Sequence, residues 1–289
     1  MKQNTSQKHP AWIRARISMS EEYLSVQQLL KDKNLNTVCV EATCPHKGEC
    51  WGRRHVTFMI SGKVCTRKCR FCNVSDGIPE EVDPCETKRI AEAVGALRSD
   101  YVVVTSVTRD DLPDEGAEQF VRVVKEIKST SPNTQIELLI PDFTANSELL
   151  RKIAFSGADI IGHNIEMPEV LYPEIRPEAD YKTSIQVLNT LNTMKNDGAP
   201  ILIKSSMMLG LGETKEDILR TFKDLKDAGV DILYAGQYLA PSTRHWPVKK
   251  YYTPQEFKFF RQKAFQTGFS TVEAAPMIRS SYQIPNCTS

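Results

Sequence analysis

The sequence predicts an α/β fold built on a parallel sheet, and three observations carry this expectation. Strand-like and helix-like segments alternate beyond residue 54. Several strand segments are near-continuous apolar runs, such as Tyr101-Val-Val-Val and Ile201-Leu-Ile, the pattern of strands buried on both faces. The intervening helices carry capping residues and glycine stops.

In chain order, residues 1–30 are polar and mixed, with an amphipathic stretch at 21–30. Strands are expected at 55–61, 101–106, 135–140, 158–163, 201–207 and 231–239. Ser147 is placed to cap a helix carrying Leu149, Leu150 and Ile153, which Gly157 follows. Thr214 with Asp217 resembles a capping box, with Ile218, Phe222 and Leu225 on one face and Gly229 as the stop. Thr253-Pro254-Gln255-Glu256 is a fuller box, with proline at the first helical position; Phe257, Phe260 and Ala264 follow at helical spacing, and Gly268 ends the helix. Alternation alone leaves open whether the sheet is flat or curls into a barrel. In both cases ligands belong at the strand C-terminal ends.

The chain of 289 residues is long enough for one large domain or two smaller ones. Its 37 basic and 36 acidic residues give a net charge of +1, which calls for neither nucleic acid nor an anionic membrane as partner. No apolar run approaches the roughly 20 residues of a membrane helix, and residues 1–10 lack the apolar core of a signal peptide. A cytoplasmic location is therefore expected. Disulfides are disfavoured in such a reducing compartment, so clustered cysteines there read as metal ligands. Six of the eight cysteines lie between Cys39 and Cys72.

Cys65-Thr-Arg-Lys-Cys69-Arg-Phe-Cys72 has the spacing C-x3-C-x2-C and follows the first expected strand. Three thiolates can hold three irons of a cubane and leave the fourth open to chelate a small molecule. The alternative is a structural zinc site with a distant fourth ligand, although zinc sites more often use paired C-x2-C units. Cys39-Val-Glu-Ala-Thr-Cys44-Pro-His-Lys-Gly-Glu-Cys50 has the spacing C-x4-C-x5-C and precedes the first strand. It reads as an added element carrying a second cluster, against unrelated thiols or a zinc site using His46.

The first triad, with Phe71 before its last cysteine, resembles the radical-SAM superfamily. Cys44-Pro-His-Lys-Gly-Glu-Cys50-Trp and Arg279-Ser280-Ser281-Tyr282 narrow the likeness to the lipoyl synthase family. Segments in the same order support it: Thr105-Ser-Val-Thr-Arg-Asp-Asp-Leu112, His163-Asn-Ile-Glu166, Arg176-Pro with Ala179-Asp-Tyr181, Gly210-Leu-Gly-Glu-Thr214 and Tyr238-Leu-Ala-Pro-Ser242. The likeness covers roughly residues 35–282. It implies a partial TIM-type (β/α)6 barrel over 55–268, an N-terminal extension over 1–54 carrying the auxiliary cluster motif, and a C-terminal tail over 269–289 that folds back.

The resemblance also implies the chemistry. Two 4Fe–4S clusters would be bound, one by Cys65, Cys69 and Cys72, the other by Cys39, Cys44 and Cys50 with the Ser281 oxygen as its fourth ligand. S-adenosyl-L-methionine, two per lipoyl group, would chelate the open iron of the first cluster. Its reductive cleavage gives a 5′-deoxyadenosyl radical, which takes hydrogens from the sixth and eighth carbons of a protein-bound octanoyl chain, and the second cluster donates the sulfur. A methylene chain offers polar catalysis nothing to act on, so geometry is the requirement. The implied partners are octanoylated lipoyl-carrier domains (2-oxoacid dehydrogenase acyltransferase subunits, the glycine cleavage H protein), a one-electron reductant such as flavodoxin or ferredoxin, and an iron–sulfur carrier that rebuilds the spent cluster.

Other residues are expected to hold the nucleoside cofactor. Phe71 lies in the cluster loop. Asn164 and Glu166, at the end of the fourth strand, suit ribose hydroxyls or ordinary loop capping. Thr105 and Ser106 suit the methionine moiety or strand-end solvation. Arg176 suits the cofactor carboxylate or a surface salt bridge, and Gly210-Leu-Gly212 suits adenine or a plain helix entry. Lys204 receives no role, and His163 and His245 read as structural. Cys85 and Cys287 read as free thiols. Two positions depart from the family pattern, Glu115 and Ala275, where glycine is expected. The competing readings are a biotin synthase-like sulfur-inserting enzyme, a two-cluster electron carrier and a zinc-binding adaptor.

Overall fold

The computed structural model describes residues 9–14 and 19–282. The extension opens with α1 (Glu21–Asp32), capped by Ser20, whose hydroxyl accepts from the Tyr23 amide; Tyr23, Val26 and Leu30 form its buried face. Two short helices follow, α2 (Val38–Glu41) and α3 (Lys47–Gly52), and they carry Cys39 and Cys50. With four and six residues they are too short to show a periodic apolar face.

Next come β1 (Thr57–Ile60), β2 (Val64–Cys65), β3 (Ser75–Asp76), α4 (Glu86–Leu97), β4 (Tyr101–Ser106), α5 (Ala117–Thr130), β5 (Gln135–Leu139), α6 (Ser147–Ala154), β6 (Ile160–Gly162), α7 (Tyr172–Ile175), α8 (Tyr181–Asn196), β7 (Leu202–Leu209), α9 (Lys215–Asp227), β8 (Ile232–Gln237), α10 (Pro254–Thr267) and β9 (Thr271–Ala274). The main sheet runs β1-β4-β5-β6-β7-β8-β9, parallel throughout. All six expected strands are in it. The seventh, β9, falls in the segment read as tail, so the tail proper starts after Ala274. Its four residues, with only Val272 and Ala274 buried, are too short for periodicity to reveal.

The capping boxes at Thr214 and Thr253 form as expected, and Gly268 ends α10 at φ 104. The cap of α6 is Asn146 rather than Ser147: its side chain accepts from the Glu148 and Leu149 amides. Either residue type can cap, and the sequence does not choose between neighbours.

The sheet's two faces serve different purposes. Phe58, Ile60, Val102, Val104, Ile136 and Leu138 pack into the main core. Tyr101, Val103 and Thr105 alternate onto the opposite face, as the two-residue period requires. By register that face also carries Glu137, opposite Val103, and Lys204, opposite Gly162. Lys204 Nζ lies 2.9 and 2.8 Å from the two Glu137 carboxylate oxygens, with both side chains buried. The Tyr101 hydroxyl donates to the same carboxylate, and the Lys204 ammonium sits 4.2 Å from the Tyr234 ring centroid. An apolar strand tolerates a buried lysine only when it is paired in this way.

The extension covers the β1 edge: Met59 N donates to Asn36 O at 2.9 Å and Thr37 bridges Phe58. At the other side the tail crosses the end of β8. Ala275 N donates to Ala235 O and Gln237 N to Pro276 O, both at 3.2 Å. Alanine suits position 275 because its φ is not positive, whereas Glu115 adopts φ 50 and explains why glycine was expected there. Close seating of the tail requires Gly236, because a Cβ there would lie 2.0 Å from the Ile278 carbonyl oxygen. Gly236→Ala is expected to destabilise the fold by about 1–3 kcal/mol, the usual cost of overpacking. The measure is a lower urea midpoint at unchanged slope; an unchanged midpoint would show that the tail does not seat here.

Candidate functional site

Cys65 ends β2, and the parallel ladder of β2 with β3 brackets the loop that carries Cys69 and Cys72. The loop is tied to the strand ends around it. Thr66 N donates to Thr108 O at 3.1 Å, Arg70 N to Ile175 O at 2.9 Å, and Trp246 N to Arg70 O at 2.8 Å. The Arg70 guanidinium lies 4.6 Å from the Trp246 ring centroid. His245 Nε2 is 3.0 Å from the Cys72 carbonyl, and its Nδ1 is 2.8 Å from Ser242 Oγ. Arg67 reaches two carboxylates, hydrogen-bonding Asp110 at 2.7 and 2.9 Å and also Asp142. The Cys65 sulfur accepts from the Thr108 amide at 3.4 Å.

Of the expected cofactor residues, Glu166 and Arg176 stand beside this loop. The Arg176 guanidinium stands close enough to the Cys69 thiol to favour its anionic form, and it also faces Glu166. It is therefore not a surface salt bridge. Its Nη1 donates to the Tyr172 hydroxyl at 3.2 Å, and its Nε is buried without a partner among the described residues. Burial pushes the Glu166 carboxyl up, opposed by Arg176 and by the Asn164 hydrogen bond. Glu166 holds φ 63 and bridges Met207, its amide donating to Ser206 O at 3.1 Å. Thr105 lies on the inward face and donates its hydroxyl proton to Leu139 O at 2.8 Å, leaving the oxygen only as an acceptor. Ser106 alternates away from that face and so does not share the site. Phe71 is half-buried and packs against the core.

The second triad is closed by the tail. Cys39, Cys44, Cys50, Arg279, Ser281 and Tyr282 line one cavity, together with Tyr101 and Val103 from the inward face of β4. Tyr282 fastens the tail to α3: its hydroxyl donates to Glu49 Oε1 at 3.0 Å and its ring lies 4.4 Å from that of His46. His46 Nε2 is 2.5 Å from Met277 O. The two loops also meet directly. Asn73, next to Cys72, donates through Nδ2 to Glu41 O at 2.7 Å and to Thr43 Oγ1 at 3.3 Å. Both acceptors lie between Cys39 and Cys44.

The donor chemistry suits iron–sulfur clusters. None of the six thiols is in a disulfide. Burial pushes Cys39, Cys44 and Cys69 up, and Cys50 and Cys72 up to about 12. In the metal-free chain these groups are neutral, and ligation has to displace their protons. Guanidinium groups favour the anionic form in each triad: Arg279 beside Cys44 and Arg53 beside Cys50 in the second, Arg176 beside Cys69 in the first. No three His, Cys, Asp or Glu side chains among the described residues meet at the spacing of a single metal ion; the second triad is instead set around a cavity.

Sequence reasoning missed Asn73, the tie of Tyr282 to Glu49 and the charge roles of Arg176 and Arg279. The R-S-S-Y string held a signal for the last two tail residues; nothing in the sequence distinguished Asn73. Cys85 is exposed and far from both triads in the chain, at the start of α4, and Cys287 lies outside the described residues.

Residues 59–257 match the Radical SAM superfamily. The chain is 47% identical to the lipoyl synthase of Alkaliphilus metalliredigens (strain QYMF) over 273 residues, 94% of this chain and 93% of that one. It is 46% identical to the lipoyl synthase of Caldicellulosiruptor saccharolyticus over 275 residues, 95% of each. Among solved structures it is similar to methylornithine synthase (TM-score 0.55, 14% identity, 88% of this chain and 78% of that one). It is also similar to the hydrogenase maturase HydG (TM-score 0.56, 15% identity, 89% and 68%). At such identities these two likenesses bear on the fold alone.

One titration follows from the site. Burial pushes the His163 imidazole down to about 4, with Asp142 opposing and Arg176 and Arg67 assisting. Its Nδ1 is 3.0 Å from Ile140 O. The unfolded value is about 6.5, so the unfolded chain binds more protons between those limits and stability rises with pH there. The contribution is complete above about pH 6.5 and is lost as pH falls toward 4, amounting to about 2 kcal/mol between pH 7 and 5. His163→Gln should flatten the pH dependence of the metal-free chain's urea midpoint by that amount; an unaltered slope would contradict the assignment.

Proposed function

The chain belongs to the lipoyl synthase family of the radical SAM superfamily, and from that premise we propose how its residues divide the work of inserting sulfur into a protein-bound octanoyl chain. Its cofactors are S-adenosyl-L-methionine and 4Fe–4S clusters. When bound, they supply the hydrogen-abstracting radical and the sulfur.

Cys65, Cys69 and Cys72 hold the first cluster, and Cys39, Cys44, Cys50 and the Ser281 oxygen hold the second. The observation that carries this division is the cavity in which the tail brings Ser281 onto the three cysteines of the extension. An alkoxide is a harder ligand than a thiolate, so Ser281 would be the ligand of the second cluster that is released most readily. Arg176 presents a fixed positive charge beside Cys69 and orients the carboxylate of the nucleoside cofactor, with its unpartnered Nε as the free donor. Asn164 and Glu166 bind the ribose hydroxyls, and Thr105 offers an acceptor oxygen. Phe71 packs the loop from behind.

The substrate lysine is carried on a lipoyl-carrier domain, an acyltransferase subunit of a 2-oxoacid dehydrogenase or the glycine cleavage H protein. A flavodoxin or ferredoxin supplies electrons, and an iron–sulfur carrier refills the second site. A cytoplasmic location agrees with six thiols kept reduced. No helix among the described residues is long and apolar enough to cross a membrane. A two-cluster electron carrier would have no use for the cavity that Ser281 shares with the second triad.

The test is anaerobic turnover with an octanoylated carrier peptide, S-adenosyl-L-methionine and a reductant. Wild type should give 5′-deoxyadenosine and a thiolated peptide. Cys39→Ala should keep the nucleoside and lose the thiolated peptide, and Cys65→Ala should lose both. Thiolated product from Cys39→Ala would sink the division of roles.

A further inference from the structure

The two cysteine loops are joined by a residue that belongs to neither ligand set. Asn73 follows Cys72, and its Nδ2 spans to Glu41 O at 2.7 Å and Thr43 Oγ1 at 3.3 Å. A primary amide nitrogen carries two hydrogens, and this one has two acceptors within reach, both on the other loop. The receiving turn is unusual. Thr43 is a β-branched residue at φ 50, a conformation such residues rarely adopt without support from their surroundings. The same turn determines where Cys44 stands relative to Cys39: Thr43 N donates to Val40 O at 3.0 Å and Cys44 N to Cys39 O at 3.2 Å. Asn73 therefore supports the backbone that spaces the second triad, from a point one residue away from the first.

We propose that Asn73 is a positioning residue that fixes the distance between the two triads, and thereby couples cofactor cleavage at the first to sulfur delivery from the second. The inference rests on the functional reading above. A carbon radical formed beside the first triad must meet sulfur from the second before it is quenched. A misplacement of about 1 Å can cost on the order of 100-fold in such a step. Loosening the span therefore acts on the yield of sulfur per cleavage event more than on cleavage itself.

Two nearly isosteric variants test this in the reconstituted holoenzyme. Asn73→Asp keeps the shape but turns a donor into an acceptor facing the Glu41 carbonyl; Thr43→Val removes one acceptor. Three quantities are read: iron per chain, thiolated product per 5′-deoxyadenosine, and the magnetic interaction between the two reduced clusters by electron paramagnetic resonance. Asn73→Asp should keep both clusters, weaken or broaden the interaction, and lower product per nucleoside about tenfold or more. Thr43→Val should move both readouts the same way by a smaller amount, and it carries the test by itself if Asn73→Asp does not fold.

Wild-type yield and an unchanged interaction in the fully loaded variants would overturn the proposal. Loss of iron in proportion to lost product would also overturn it, because Asn73 would then serve only to retain the cluster. If wild type makes the nucleoside but no thiolated peptide, the functional reading has failed; the magnetic interaction still decides whether Asn73 sets the separation.

Discussion

The Asn73 carboxamide spans from the loop of one cysteine triad to the backbone of the other, and this junction joins the two parts of the candidate site. The first loop is held against the strand C-terminal ends by Thr66, Arg70 and the His245–Trp246 segment. The second has only short helices of its own and depends on contacts made by others. Among these are Asn73 from the barrel side, Tyr23 of α1 against Trp51, and the tail, locked through Tyr282, Glu49 and His46, from the outside. A segment with little intrinsic structure thus becomes a defined site between two fixed surfaces.

The same economy shows in the electrostatics. Thiols in this setting would be costly as bare anions, and burial pushes five of the six up, which keeps those five protonated in the metal-free chain. Arg176 beside Cys69, with Arg279 and Arg53 beside Cys44 and Cys50, lowers that cost. Deeper on the inward face, Lys204 and Glu137 neutralise each other and also engage Tyr101, which lines the second cavity. The buried charges on the inward face are thus matched with one another.

Much of this was legible in the sequence. The strands announced themselves as apolar runs because they are buried on both faces, and the boxes at Thr214 and Thr253 marked helix starts because the capping chemistry is local. The cysteine spacings were legible for the same reason: the three cysteines of each triad lie within about a dozen residues of chain. What stayed hidden depends on contacts between distant segments. The β9 strand is recognisable only by its pairing with β8, and Lys204 makes sense only beside Glu137, 67 positions away in the chain. Asn73 looks like any polar loop residue until Glu41 and Thr43 are placed against it. The positive φ at Glu115 shows the converse: a glycine-like position can be filled by a side chain, here one that accepts from Thr144 Oγ1 at 2.7 Å.

The central claim is that both triads hold iron at once, in neighbouring sites, with the tail closing the second. Anomalous diffraction from crystals of the anaerobically reconstituted protein, collected at the iron and zinc absorption edges, addresses it most directly. The account predicts two separate iron peaks, one against Cys65, Cys69 and Cys72, the other against Cys39, Cys44, Cys50 and the Ser281 oxygen. A single iron peak, or zinc at the second position, would contradict it.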